Sequence, residues 1–339
     1  MSGLPAPAAL PLRIIASGAY LPRLRVPSQH FDQRWNKPDG WVERHSGVAS
    51  RGHAAADERA SWMGARAALQ ALQQAALAAT DIDCIVSACG VMEQAIPCQA
   101  VLVQRALGLG DSGIPSFDVN ATCLGFVVAL EMAGSLLALG RYRRVLIVCS
   151  DVPSVGLDPD DLLTAPLFGD GAVAMLVERA ADGQASALLA TRLRTYGDGA
   201  GLCQVPTCGT GMRLFDDVDA YRAAHHFQMQ GRALYREAAR RLPGFLQDLL
   251  DSAGTSLAAC DVIVPHQASG QALDHLQRVL GLPPQRLVRI LREHGNQLAA
   301  SLPMALHQAL IDGRLPRGGQ ALLIGTGAGL ALGGAVLRY

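Results

Sequence analysis

Ile114–Arg144, IPSFDVNATCLGFVVALEMAGSLLALGRYRR, joins a short apolar strand to a long helical pattern, and its reading decides the fold. Phe126, Leu130, Ala133, Leu136, Leu137 and Leu139 recur at helical spacing. Gly140 ends the run before Arg141, Arg143 and Arg144. Cys123 stands at the turn between strand and helix. Unpaired backbone N–H groups and the positive end of the helix dipole favour a thiolate there, so the position offers a nucleophile of lowered pKa, and the alternative at this point is an inert cysteine that fills the core.

Upstream of this stretch, Leu12–Tyr20 reads as a first strand, residues 59–79 as a helix, residues 83–88 (DCIVSA) as a strand and residues 99–107 as a helix stopped by Gly108. Downstream, RVLIVC from Arg144 and GDGAVAMLVE from Gly169 read as buried strands. Strands alternating with helices imply a largely parallel sheet covered on both faces.

The second half repeats this order. VQRALGL at Val103 recurs as LQRVLGL at Leu276, DCIV at Asp83 as DVIV at Asp261, and RVLIVCSD as QALLIGTG. At the offset of the first pair, 173 residues, Cys123 falls on Asn296 and Arg141 on Arg314. Two tandem copies of one α/β unit follow, residues 1–180 carrying the cysteine and residues 181–339 carrying a histidine and an asparagine. Duplication sets the turn bearing Cys123 against the turn bearing Asn296. His266 follows the strand CDVIVP at its carboxyl end, where α/β proteins gather their sites. A thiol, an imidazole and an amide donor on three connections at one edge suit nucleophilic acyl chemistry. The tail GTGAGL lacks the helix and distant acidic residue of a dinucleotide site; its small residues instead let backbone amides approach a substrate.

Composition narrows the partners. The 339 residues carry 29 basic and 29 acidic side chains, which speaks against nucleic acid or a membrane surface as a bulk electrostatic partner. The Pro- and Ala-rich start MSGLPAPAALP has no basic n-region, and no apolar run is long enough to span a bilayer, so a soluble cytoplasmic protein is expected. Eight cysteines without a C-x-x-C pair are expected to be reduced thiols, with no metal site.

The motifs FDVNATCLGF, LFGDGA, VPHQA, EHGN, the early WVERHSGVASR and the tail GTGAGLALGGAVLRY, in this order and spacing, resemble those of the β-ketoacyl-acyl-carrier-protein synthase III family of the thiolase superfamily. The resemblance covers nearly the whole chain. It implies an α/β, duplicated thiolase-like fold, with two pseudo-twofold-related mixed sheets in a five-layered αβαβα arrangement, and a homodimer. It also implies a Cys123, His266, Asn296 triad, an oxyanion and substrate loop at Gly327, Ala328 and Gly329, and substrate contacts at Trp41, Ile96, Thr326 and Leu330, with Ile96 entering a partner's tunnel.

The activity implied is decarboxylative Claisen condensation of a Cys-bound acyl group with a malonyl thioester carried by acyl carrier protein. It needs no cofactor and serves fatty acid or polyketide-type metabolism. The alternatives are an acyltransferase that moves the acyl group from Cys123 to an alcohol or amine, a non-decarboxylative condensation of two acyl chains with Glu93 as base or a ring-forming one, and a non-catalytic partner subunit. His45 and Val155 stand where many family members place arginines that grip coenzyme A, with Arg44 a substitute for the first only, so acyl-coenzyme A and acyl carrier protein both stay open as the priming donor. Arg236 and Arg278 match the family's carrier-docking positions, and Arg232, Arg236 and Arg240 fall on one helical stripe.

Overall fold

A computed structural model describes residues 8–339; the first seven residues of the Pro- and Ala-rich start lie outside the described residues. The first sheet holds β1 (Leu12–Tyr20), β2 (Cys84–Ser87), β3 (Ser116–Asp118), β4 (Arg144–Asp151) and β5 (Gly171–Arg179), in the order β1-β5-β4-β2-β3. The second holds β6 (Ala187–Thr195), β7 (Val262–Pro265), β8 (Gln320–Gly327) and β9 (Ala331–Arg338), in the order β6-β9-β8-β7. A parallel bridge from Ile263 to Leu287 stands where β3 stands in the first sheet. The two sheets therefore repeat each other strand for strand.

The alternation of strands and helices points to largely parallel sheets, and the structure differs. β2/β3, β2/β4 and β7/β8 pair in parallel, while β1/β5, β4/β5, β8/β9 and β6/β9 are antiparallel. A parallel neighbour needs a crossover helix. Only a tight turn joins β8 to β9, and no long helix separates β4 from β5, so each chain returns antiparallel. The mixed sheets are those the family resemblance implies.

Packing gives five layers. The central layer is α3 (Gly125–Ala138) and α6 (Ser301–Ile311), whose Phe126, Leu130, Leu302 and Leu306 meet Ile147 and Met175 of the first sheet and Val264 and Leu323 of the second. α1 (Ala60–Gln74) and α2 (Gln99–Ala106) cover the far face of the first sheet through Met63, Ala67 and Val103. α4 (Gly231–Ser252) and α5 (Gly270–Val279) cover the second through Phe245, Leu249 and Leu276. Each fully buried Leu or Phe contributes about 1.5–3 kcal/mol, so this three-element core fixes the edge where α3 and α6 begin. The predicted helix over 59–79 stops at Gln74, where Ala76 turns left-handed at φ 53°. Among the described residues no helix is long and apolar enough to cross a membrane.

The repeat is also displaced from its sequence reading. α2 and α5 end 173 residues apart, at Ala106 and Val279, but α3 and α6 open at Gly125 and Ser301, and β4 and β8 at Arg144 and Gln320, three residues further apart. An insertion before α6 accounts for this. The counterpart of Cys123 is thus Ala299, and the counterpart of Asn296 is Asn120. The backbone agrees: Thr122 and Leu298 are both left-handed without being glycine, at φ 49° and 50°. Asn120 Oδ1 accepts the Thr122 N–H at 2.9 Å, and Asn296 Oδ1 accepts the Leu298 N–H at 3.0 Å.

Candidate active site

Cys123 occupies a 3-10 turn, Thr122–Leu124, that leads into α3. Two glycines bring the turn to its place. A Cβ on Gly125 would lie 2.9 Å from the Ala88 carbonyl at the end of β2, and one on Gly90 would lie 3.6 Å from Leu298 Cβ and 3.7 Å from the Thr122 carbonyl carbon. The Cys123 turn and the Asn296 turn therefore meet across the Gly90 backbone.

β8 supplies the floor. On its inner face a Cβ at Gly325 would lie 2.7 Å from His266 Cβ and 3.3 Å from Leu124, and one at Gly327 would lie 3.0 Å from Thr122 Oγ1. Any side chain at either position would push the histidine and the cysteine turn apart. Beyond Gly327 the Ala328 N–H comes near enough to the Cys123 sulfur to favour its thiolate. Leu330 is buried and left-handed at φ 52°, and its carbonyl accepts the Tyr196 N–H at 3.0 Å. Gly199 leaves room for the Leu330 side chain.

His266 leaves β7 with its N–H on the Ile324 carbonyl at 2.8 Å, so β8 holds it by the backbone as well. Asn296 Nδ2 donates to the carbonyl of Ala268, two residues beyond the histidine, at 3.4 Å. That contact joins the His266 connection to the Asn296 turn. The residues that sequence reading sets together, Cys123, His266, Asn296 and the Gly327–Gly329 loop, are accordingly gathered at one edge. Thr326 is not gathered with them: by strand alternation it faces the α4 side with Leu322 and Ile324. Trp41 lies apart on a short helix, Trp41–Ser46, stacked on His45 at 4.0 Å with Lys37 Nζ 5.2 Å from its ring. Ile96 is 86% exposed.

Electrostatics correct the expected thiolate. Cys123 is 8% exposed, and burial pushes its thiol up to about 12, aided by nearby Cys203 and Asp151, against the opposing N–H of Ala328. Desolvation of the charged sulfur outweighs the helix dipole. His266 is pushed down to about 4 by burial, and its Nδ1 has no hydrogen-bond partner. At neutral pH the pair is a thiol beside a neutral imidazole, so a proton must leave the sulfur as it attacks.

Glu93 departs from its expected place as a base. Its carboxylate accepts the Ser61 N–H at 2.9 Å at the start of α1 and lies near Arg59, so it caps a helix on the far face of the sheet. Sequence reading missed Asp151. It is wholly buried and binds Gly90 N and Val91 N at 2.7 Å each through Oδ1, and Ala300 N at 3.2 Å through Oδ2. Burial pushes it up to about 7 despite these donors. The signal was present: an aspartate closing a strand, RVLIVCSD, that is otherwise almost wholly apolar.

Residues 117–203 match the profile of 3-oxoacyl-acyl-carrier-protein (ACP) synthase III, and residues 250–339 match the profile of its C-terminal part. The chain is 36% identical to the beta-ketoacyl-acyl-carrier-protein synthase III of Erythrobacter litoralis over 327 residues, covering 96% of this chain and 98% of that one. It is similar to the solved 3-oxoacyl-(acyl carrier protein) synthase III of Pseudomonas aeruginosa, with 32% identity, TM-score 0.87 and 98% of each chain covered. The priming beta-ketosynthase of the R1128 polyketide biosynthetic pathway is similar at 29% identity and TM-score 0.85, with 99% of this chain and 98% of that one covered.

Proposed function

Because the chain belongs to the 3-oxoacyl-acyl-carrier-protein synthase III family, we propose that it joins a Cys123-bound acyl group to a malonyl thioester by decarboxylative Claisen condensation. The observation that carries this reading is the convergence of a buried thiol, a neutral imidazole and a fixed amide donor, with the Ala328 N–H near the sulfur. In the first half-reaction the Cys123 sulfur attacks an acyl thioester carbonyl while His266 takes the thiol proton and passes it to the departing thiolate. The N–H groups of Cys123 and Ala328 receive the oxyanion. In the second, His266 and the Asn296 amide donate to the malonyl thioester carbonyl as carbon dioxide leaves. The enolate carbon then attacks the acyl-enzyme, the bond to Cys123 breaks, and the thiolate takes up one proton. Every step is acyl transfer, proton transfer or loss of carbon dioxide into an enolate, with no change of oxidation state that needs an outside oxidant or reductant, so the reading calls for no metal or redox cofactor.

Acyl carrier protein delivers the malonyl group and, in this reading, the priming acyl group as well. Arg236 and Arg278 are exposed and have no carboxylate partner among the described residues, and the Tyr235–His275 ring contact at 5.2 Å brings α4 beside α5. Arg240 is less available, since Glu237 binds it at 2.9 Å. Val155 is exposed, and the Trp41 ring is already engaged by His45 and Lys37, which supports carrier over coenzyme A as donor. The enzyme acts in the cytoplasm as a homodimer; the free edge of β3 and the protruding Ile96 support that assembly. Intact-mass detection of acyl groups on Cys123 with a panel of acyl-coenzyme A and acyl-carrier donors, followed by malonyl-carrier, tests the whole reading. A 3-oxoacyl product with loss of the adduct is expected; an adduct that malonyl-carrier leaves in place refutes it.

A further inference from the structure

Arg51 is fully buried, yet among the described residues no carboxylate pairs with it. Its Nη1 donates to the Val26 carbonyl at 3.2 Å, and its Nη2 to Ser28 Oγ at 2.8 Å and to the Pro166 carbonyl. The guanidinium lies 4.9 Å from the Phe31 ring centroid, and Nε has no partner. Burial pushes its pKa down to about 10, which leaves it charged at neutral pH. A buried cation held only by neutral acceptors is unfavourable beside an apolar side chain of like volume. Its place in the fold needs another account.

That account lies in what Pro166 begins. The Asn296 N–H donates to the Leu167 carbonyl at 2.9 Å, and the Gly169 N–H donates to the Asn296 carbonyl at 3.1 Å, so Pro166–Gly169 pairs with Asn296 on both sides of its backbone. Gly169 is wedged between Arg51 and the Asn296 segment: a Cβ there would lie 2.8 Å from Arg51 Cβ and 2.2 Å from the His294 carbonyl oxygen. On the other side Gly295, at a positive φ of 69°, admits the Leu167 carbonyl oxygen 2.8 Å from where a Cβ would stand, too close for any side chain. The planar fork, the Pro166–Gly169 segment and the asparagine are three consecutive layers.

We propose that Arg51 is a positioning residue for the Asn296 amide: its guanidinium fixes the Pro166–Gly169 segment, and that segment sets where Asn296 presents its side chain. The inference rests on the role given to Asn296 above. Small displacements of a donor weaken a reaction steeply, by up to about a hundredfold per ångström. The effect belongs to the decarboxylation step and not to acylation of Cys123, whose turn is also held apart from Arg51, by Gly125 against the Ala88 carbonyl and by Gly327 against Thr122.

The test uses the full chain and separates the half-reactions, with intact mass reading acylation and carbon dioxide release from malonyl-carrier reading decarboxylation. Arg51→Met is expected to lower kcat for carbon dioxide release about ten- to hundredfold, with KM and the acylation rate within about threefold. Combined with Asn296→Ala it is expected to add nothing to the loss from Asn296→Ala alone. Losses that multiply in the double variant overturn the inference while leaving the role of Asn296 intact. An Asn296→Ala variant that still decarboxylates overturns both. Arg51→Lys, which keeps the charge without the fork, and Ser28→Ala are gentler probes should the methionine variant fail to fold. Each is expected to slow carbon dioxide release more than acylation, and equal slowing of both overturns the inference.

Discussion

The turns at Asn120–Cys123 and Asn296–Ala299 share one backbone and differ in what they present. Both have an asparagine that accepts the N–H two residues on, a left-handed residue without glycine, and a 3-10 turn into a central helix. In the first the asparagine is exposed and the turn offers a thiol; in the second the thiol position is Ala299, and the asparagine is 5% exposed and tied to Ala268. Duplication supplied two equivalent strained turns, and the proposed reaction takes a different residue from each. A left-handed non-glycine costs about 1–3 kcal/mol, and its presence twice at one edge marks the turn, more than any one side chain, as the unit that was copied.

The comparison breaks most directly at the nucleophile. Cys123→Ala, which makes the first turn carry what the second carries, is expected to abolish covalent acylation by intact mass; an adduct retained in that variant would remove the thiol from the mechanism. The asparagines give a sharper contrast. Asn296→Ala should lower carbon dioxide release by about a hundredfold, the scale of losing one oxyanion-type donor, while acylation falls far less. Asn120→Ala should cost about 1 kcal/mol of stability through its lost turn hydrogen bond and leave both half-reactions near wild type. Equal effects at the two positions would erase the distinction drawn here.

Smaller effects follow from charge. With the thiol pushed up to about 12, alkylation of Cys123 by iodoacetamide should keep rising with pH beyond 9 and show no plateau near neutrality. With His266 pushed down to about 4, the unfolded chain binds its proton more tightly than the folded one between about pH 4 and 6.5. The histidine's contribution to stability is thus lost as pH falls through that window, and thermal melts of wild type and His266→Gln should converge there. Reversing Arg236 and Arg278 to glutamate should raise KM for malonyl-carrier several-fold at low ionic strength and leave a malonyl-pantetheine substrate unaffected, since exposed charges act mainly on encounter and are screened by salt.

Much of this was legible along the chain, because local pattern encodes local structure. The strand, turn and helix around Cys123, the histidine at the end of β7 and the glycines of β8 each follow from residues close in sequence. What stayed hidden depends on contacts between distant segments. The three-residue shift of the repeat moved the partner of Cys123 from Asn296 to Ala299, and no local pattern marks an insertion in a polar connection. The carboxylate of Glu93 reads as free until Ser61, thirty-two residues away, is seen to occupy it. The thiol looked acidic because a helix start is visible in sequence, whereas the burial that overrides it comes from packing of both halves.

The connection from Gly90 to Ala100 is fastened along its length. Asp151 binds Gly90 and Val91, Glu93 binds Ser61, Gln99 Oε1 binds the Glu93 N–H at 3.0 Å, and Asp118 binds the N–H groups of Gln99 and Ala100 at 2.8 Å each. Ile96 projects from the middle of this tethered arch. An arch ordered beforehand gives up little freedom when its tip enters an apolar recess, so in the proposed homodimer the docking of Ile96 would be a lock-and-key event whose speed is set by collision and orientation and not by the folding of a loop.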